Sequence, residues 1–150
     1  MKTDRFKSDS TSCVVAGSTR SLTKKNVIIR GRQSMIQCCP FPEVDSQLDY
    51  ICKMANQWIS SWSRNPFATA SWIHLVFVRC HPFEDGNGRL GRLLASIPLM
   101  RHGYLPISIK GEQHAAYYDA INYAYNENHQ PFIDCMLKGM QDTLVEVKTL

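Results

Sequence analysis

The sequence has no uninterrupted apolar stretch that approaches the ~20 residues required by a membrane-spanning helix. Its first twenty residues contain no apolar block of the kind that forms the centre of a secretory signal. We therefore expect neither a membrane span nor a secretory signal in this chain.

Metal-binding patterns are also lacking. The six cysteines include no C-x-x-C pair, and the histidines have no companions at zinc-ligand spacing. We interpret the thiols as reduced, with Cys52, Cys80 and Cys135 packed as small apolar side chains in helices. Reduced thiols predict a cytoplasmic or nuclear location.

Acidic residues are scarce at the front of the chain. Residues 1–37 carry a net charge of +6, whereas residues 38–150 carry −2. A basic front is either a solvated, flexible segment or a surface that attracts an acidic partner. With Phe6 as its one aromatic residue, it lacks the aromatic interleaving that is typical of nucleic-acid binding, so no nucleic-acid partner is expected.

The patterns that are present predict an all-α domain with a small β-hairpin. Two short β-prone runs, at residues 26–29 and 35–36, flank a glycine and indicate the hairpin. Apolar residues at helical spacing predict helices from about 43 to 62, 66 to 80, 90 to 102 and 112 to 126, and from 131 onward. The helix at 90–102 is expected to bury Leu93, Leu94, Ile97 and Met100.

One stretch, residues 81–92, stands apart: His-Pro-Phe-Glu-Asp-Gly-Asn-Gly-Arg-Leu-Gly-Arg. The loop Gly86-Asn87-Gly88 leads into a helix N-terminus, where free backbone N–H groups and the helix dipole favour an anion. Arg89 and Arg92 follow three residues apart, so they share one helix face and suit a polyphosphate. The stretch is not a P-loop, because G-x-x-x-x-G-K-[S/T] is absent.

The same stretch contains candidates for catalysis and for metal binding. Asp85 offers a hard oxygen ligand that could hold Mg²⁺ against phosphate oxygens. His81, fixed by the following Pro82, is a candidate general base. Taken alone, each part is ordinary: a turn, a helix cap, a solvated arginine pair. Together they predict a nucleotide cradle, a metal ligand and a base within twelve residues.

Residues 81–92 resemble the H-P-F-x-[D/E]-G-N-G-R-x-x-R signature of the Fic (filamentation induced by cAMP) family at every specified position. The resemblance extends to His74, to the pair Tyr117-Tyr118, to Pro131-Phe132, and to a "flap" hairpin beginning at residue 24. It is greatest to the animal-type protein adenylyltransferase. It implies a Fic-type helical bundle over residues 20–147, preceded by a flexible segment (1–19) and followed by a short tail (148–150).

The resemblance implies transfer of AMP from ATP to a Ser, Thr or Tyr hydroxyl of a target protein, with release of pyrophosphate. His81 would be the catalytic base, and Asp85 would hold Mg²⁺. The flap residues Val27, Ile28, Ile29 and Arg30 would hold the target segment. The implied nucleotide contacts are Asp85, Gly86, Asn87, Gly88, Arg89, Leu90, Gly91, Arg92, Tyr117, Tyr118 and Tyr125.

The sequence departs from the family pattern at three places. Tyr125 stands where close relatives have an adenine-contacting asparagine, and it could either stack on a base or simply pack. No inhibitory [S/T]-x-x-x-E-[G/N] motif or upstream helix is found, so the enzyme is unrestrained, a separate partner inhibits it, or the chain is incomplete. The flap sequence is divergent and basic, so it does not identify the target.

Two alternative functions follow from these departures. One keeps the site and changes the transferred group to UMP, phosphate or phosphocholine. The other is a non-catalytic module that binds nucleotide and a partner protein. The sequence also leaves open whether the chain forms a homodimer.

Overall fold

The structure, a computed structural model, describes residues 17–30 and 35–149, with Arg30 described by its backbone alone. The described residues form six α-helices and one two-stranded antiparallel sheet. They are α1 (Arg20–Thr23), β1 (Ile28–Arg30), β2 (Met35–Gln37), α2 (Val44–Ser60), α3 (Pro66–Cys80), α4 (Asn87–Arg101), α5 (His114–Tyr125) and α6 (Gln130–Lys148). The predicted all-α fold with one hairpin is therefore confirmed. Most of the segment expected to be flexible, residues 1–16, and residues 31–34 between the two strands lie outside the described residues.

Helix α3 runs through the centre of the domain. The Asn65 side chain caps it by accepting hydrogen bonds from the backbone N–H groups of Phe67 (2.9 Å) and Ala68 (3.2 Å). Pro66 occupies the first helical position, where its missing N–H costs no intrahelical bond. Nine of its fifteen residues are buried, so the apolar circumference seen in the sequence does predict a core helix.

Helix α4 packs on α3 with a face that differs from the predicted one at three of its four residues. Leu94 is half-buried and packs against the core, whereas Leu93, Ile97 and Met100 are exposed. The buried face is formed by Gly91, Ala95, Ser96, Pro98 and Leu99. A β-carbon at Gly91 would stand only 3.2 Å from the Val78 side chain, so α4 approaches α3 closely through small residues. The largest apolar side chains were expected on the buried face of α4, whereas its close packing on α3 requires small ones.

The hairpin and α1 lie at the carboxyl end of α3. Strands β1 and β2 pair in the register Ile28–Gln37, Ile29–Ile36 and Arg30–Met35. A hydrogen bond joins the segment after β2 to α3: the Cys39 N–H donates to the Arg79 carbonyl (3.0 Å). These connections place the hairpin beside the residues that follow α3.

The cysteines differ in their surroundings. Cys80 is buried, and burial raises the pKa of its thiol to about 12. Cys135 is half-buried. Cys52 is exposed on α2, so the prediction that Cys52 packs in the core is wrong.

Among the described residues, no helix is both long enough and apolar enough to cross a membrane.

Candidate active site

A cavity of about 510 Å³ lies between the carboxyl end of α3, the start of α4, the hairpin and α5. It brings together several of the residues that the sequence predicted as functional. They are His81, Gly88, Arg92, Tyr117, Tyr118 and Ile29. A larger cavity, of about 620 Å³, lies along the other side of α3 and has none of these six residues in its lining.

His81 ends α3 in a left-handed backbone conformation, with φ 49°. Such a conformation is uncommon for a residue with a β-carbon, and it turns the chain sharply out of the helix. The imidazole Nδ1 lies 3.2 Å from the Val78 carbonyl oxygen. Because a carbonyl can only accept, Nδ1 carries the hydrogen, and in the neutral ring Nε2 keeps its lone pair.

Burial lowers the pKa of His81 below its ordinary value of 6.5. The hydrogen bond to the Val78 carbonyl offsets part of this shift, and the Arg20 guanidinium lowers the pKa further. The ring is therefore mainly neutral at pH 7. A neutral imidazole with a free Nε2 can accept a proton.

The loop after His81 is closed by Asn87. Its side-chain oxygen accepts from the Phe83 N–H (3.0 Å), and its side-chain nitrogen donates to the Phe83 carbonyl (2.7 Å). Asn87 is 3% exposed. The Asn87 amide therefore shapes the loop, and its contribution to anion binding is limited to its backbone N–H.

The N-terminus of α4 has no side-chain cap. Gly86 precedes it with φ 80°, a conformation that glycine adopts without steric cost. The first N–H groups of a helix have no partner within that helix. Those of Asn87, Gly88 and Arg89 are therefore available to an anion, and Gly88 lines the His81 cavity. Helix α4 begins at Asn87, three residues before the predicted start at Leu90, so Asn87 and Gly88 of the glycine-rich loop belong to its first turn.

The two arginines of the motif have different surroundings. Arg92 lines the cavity. Arg89 lies at the exposed lip, where its guanidinium donates to the Asp85 carboxylate (3.0 Å), with both side chains 73% exposed. Such an exposed pair is weak and easily exchanged for another partner.

Asp85 is the candidate Mg²⁺ ligand. The described residues contain no group of three His, Cys, Asp or Glu side chains able to hold a metal together. Mg²⁺ in nucleotide sites commonly takes one or two carboxylates and completes its coordination with phosphate oxygens and water. A single accessible carboxylate beside an anion-binding helix end fits that pattern.

A buried network holds Arg92. Its guanidinium donates to the Tyr117 hydroxyl (3.5 Å), and that hydroxyl is hydrogen-bonded to His74 Nε2 (2.6 Å). Burial, with a further contribution from Arg92, lowers the pKa of His74 to about 3, so this ring is neutral. Tyr117 and His74 therefore position Arg92 from the core side.

Helix α5 supplies the wall opposite His81. The predicted Tyr118 lines the cavity there and is 55% exposed. Asp119 and Asn122 also line the cavity, although neither was predicted as a site residue. Asn122 lies four residues after Tyr118 and three after Asp119, and these spacings could have indicated a shared helix surface.

Three predicted nucleotide contacts are placed elsewhere. Tyr125 lines the larger cavity, and its hydroxyl donates to the Leu75 carbonyl (2.8 Å). Of the two interpretations left open for Tyr125, this arrangement favours packing. Gly91 faces α3, and Leu90 is not among the residues that line the His81 cavity.

The hairpin closes the remaining side. Ile29 and its cross-strand partner Ile36 line the cavity, whereas the neighbouring Ile28 is 55% exposed. The Val27 carbonyl accepts from the Cys38 N–H (3.1 Å) and so closes the base of the hairpin. The backbone of Arg30 pairs with Met35. The predicted flap thus has one face on the cavity and one on solvent.

Comparison with known proteins identifies sequence relatives of this chain. A family model for the Fic/DOC family matches residues 13–99. Protein adenylyltransferase Fic from Drosophila persimilis is 35% identical over 106 residues, which is 69% of this chain and 21% of that protein. The chain therefore spans about a fifth of the length of the curated relative it matches.

Solved structures have the same fold. A point variant of Fic-1 (residues 134–508) from C. elegans is 32% identical, with a TM-score of 0.64, over 81% of this chain and 37% of that one. A Fic domain containing signaling protein from Bacteroides thetaiotaomicron has a TM-score of 0.71 at 22% identity, over 85% of this chain and 54% of that one. Since the family model covers more than half of the sequence and the folds agree, this chain belongs to the Fic/DOC family.

Proposed function

We propose that this chain is a Mg²⁺-dependent protein adenylyltransferase that moves AMP from ATP to a Ser, Thr or Tyr hydroxyl of a target protein. One observation carries the proposal: a neutral histidine, an uncapped helix N-terminus, an arginine and a hairpin strand line one cavity. The names of the relatives support an adenylyl transfer, and the activity of this chain is inferred from its own residues.

His81 is the proposed base. Nε2 accepts the proton of the target hydroxyl while the hydroxyl oxygen forms its bond to the α-phosphorus. Pyrophosphate leaves as the bond between the α-phosphorus and the bridging oxygen breaks. The Nδ1–H hydrogen bond to the Val78 carbonyl supports this role, because it keeps the lone pair on Nε2.

The phosphates are held by groups of α4. The N–H groups of Asn87, Gly88 and Arg89 and the Arg92 guanidinium stabilise the negative charge that develops during transfer. Their positions are fixed before ATP binds, by the Asn87–Phe83 hydrogen bonds and by the Tyr117–His74 network. Asp85 would hold Mg²⁺, which neutralises phosphate charge when bound.

The target segment is proposed to pair with a strand of the hairpin. An extended peptide can add itself to an exposed sheet edge through backbone hydrogen bonds, whatever its side chains. Ile29 and Ile36 face the cavity, so a peptide docked on this hairpin would bring its hydroxyl towards His81. Three further expectations from the sequence stay predictions: a separate inhibitory partner, a homodimer, and a cytoplasmic or nuclear location.

A labelling experiment tests the proposal. Incubation with ATP labelled in the α-phosphate and with Mg²⁺ is expected to label a target protein, or this chain itself. His81→Ala is expected to abolish labelling, because it removes the base. His129→Ala is the matched control, since His129 is exposed and lines the other cavity. Equal labelling by His81→Ala and the unaltered chain would contradict the mechanism.

A further inference from the structure

The one arginine of α1, Arg20, is completely buried, with 0% of its surface exposed. Its guanidinium donates four hydrogen bonds, all to backbone carbonyl oxygens. They go from Nε to His81, from Nη1 to Lys25 (2.6 Å), and from Nη2 to Cys39 (2.8 Å) and Cys80 (2.9 Å). Its backbone N–H donates to the Pro82 carbonyl (2.7 Å).

These acceptors belong to three segments that define the site. The Cys80 and His81 carbonyls are at the carboxyl end of α3, where the chain turns into the motif. Lys25 is on the chain entering the hairpin, and Cys39 is on the chain leaving it. One side chain therefore joins the base, the start of the motif loop and both ends of the flap.

The chemistry of the contacts favours arginine specifically. Among residues 17–30 and 35–149, no carboxylate forms an ion pair with Arg20, so carbonyl dipoles alone compensate its charge. A guanidinium presents five donors in a rigid plane, which can serve several carbonyls at fixed angles. An ammonium has three donors on a flexible stem and cannot replace that geometry.

We propose that Arg20 is a positioning residue, which aims the His81 imidazole and fixes the flap at a set distance from it. The inference builds on the proposed function. His81 adopts its left-handed turn at the residue whose carbonyl Arg20 holds, so the contact fixes the direction of the ring. Arg20 lies outside the lining of the cavity, so its removal should leave nucleotide affinity unchanged.

Arg20 also contributes a charge behind His81. Other charged or titratable groups that line the cavity together with His81 are Arg92 from α4 and Tyr117, Tyr118 and Asp119 from α5. On the α1 side, Arg20 is the cation in hydrogen-bond contact with the His81 backbone. Replacing it by a neutral side chain is expected to raise the pKa of His81, because a nearby cation disfavours the imidazolium.

The test uses Arg20→Gln and Arg20→Lys, with Arg79→Gln as the matched control. Arg79 is exposed on α3, two residues before His81, and its guanidinium lies over the Tyr125 ring. Three quantities are measured: affinity for a non-hydrolysable ATP analogue, the His81 pKa by NMR, and the labelling rate at saturating ATP.

For both Arg20 variants we expect affinity within about twofold of the unaltered chain and labelling slower by up to about a hundredfold, the loss typical of a misplaced catalytic group. Arg20→Gln should also raise the His81 pKa. Arg79→Gln should change none of the three quantities. If the unaltered chain fails to label anything, the proposed function fails, while the His81 pKa still tests Arg20.

Three results would overturn the proposal. The first is an unchanged His81 pKa and an unchanged rate in Arg20→Gln. The second is full rescue of the rate by Arg20→Lys, since an ammonium lacks the planar fork. The third is loss of cooperative unfolding in both variants, which would make Arg20 a requirement of the whole fold instead of a positioning residue.

Discussion

His81 combines a constrained backbone with a neutral side chain. Its left-handed conformation is maintained by the bonds that hold its neighbours, and its Nδ1–H is bonded to the Val78 carbonyl. The sequence predicts a catalytic base at this histidine, because the motif around it is specific. It could not predict the buried Arg20 behind it, because an arginine in a Ser/Thr-rich segment reads as solvated.

The lowered pKa of His81 predicts a particular pH dependence. A base must be unprotonated to act, so the labelling rate should rise with pH through the pKa of His81 and level off above it. Because burial lowers that pKa below 6.5, the rate at pH 6.5 should exceed half of its plateau value. A pH–rate profile at saturating ATP measures this. An acidic limb centred clearly above pH 6.5 would contradict the environment described for His81.

At the scale of elements, the helices were predictable and their contact faces were less so. The helix predicted from residue 66 does begin at Pro66, where the Asn65 side chain caps it, since capping is local chemistry. The predicted buried face of α4 was largely wrong, because close approach to α3 selects Gly91 and Ala95 over the larger Leu93. Close packing depends on the partner surface, and a single sequence does not display that surface.

Another close approach gives a prediction for α6. A β-carbon at Gly139 would stand 1.8 Å from the Ser108 carbonyl oxygen, so Gly139→Ala must push α6 away from the segment before α5. We expect a loss of roughly 1–3 kcal/mol or more in the free energy of unfolding. Gly111→Ala is the matched control, because its β-carbon would meet nothing within 4 Å. Chemical denaturation measures both, and equal stabilities would contradict the packing.

At the scale of the whole molecule, His74 links the core to the site. Its ring contacts the rings of Tyr117 and Phe132, with centroids 5.6 Å and 4.8 Å away, so it joins α3 to α5 and α6. The sequence marked His74 through its resemblance to the family. It did not show that this histidine is completely buried and neutral, because burial depends on three helices meeting.

This burial predicts a pH-dependent stability. His74 has a pKa of about 3 when folded and near 6.5 when unfolded, so the unfolded chain binds more protons between these values. The contribution of His74 to the free energy of unfolding is therefore fully present above about pH 6.5. It declines on acidification, by up to about 1.4 kcal/mol per pH unit. His74→Gln cannot titrate and should flatten this slope, whereas His129→Gln should not. Parallel slopes for His74→Gln and the unaltered chain, measured by denaturation from pH 7 to 4.5, would contradict a neutral buried His74.

The other functional inferences depend on the proposed transfer of AMP in the His81 cavity. Intact-mass and peptide mass spectrometry, after incubation of this chain and candidate targets with ATP and Mg²⁺, tests it most directly. We predict an AMP-sized addition on a Ser, Thr or Tyr, present with the unaltered chain and with His129→Ala, and missing with His81→Ala. An addition of a different mass, or one that persists in His81→Ala, would contradict the account.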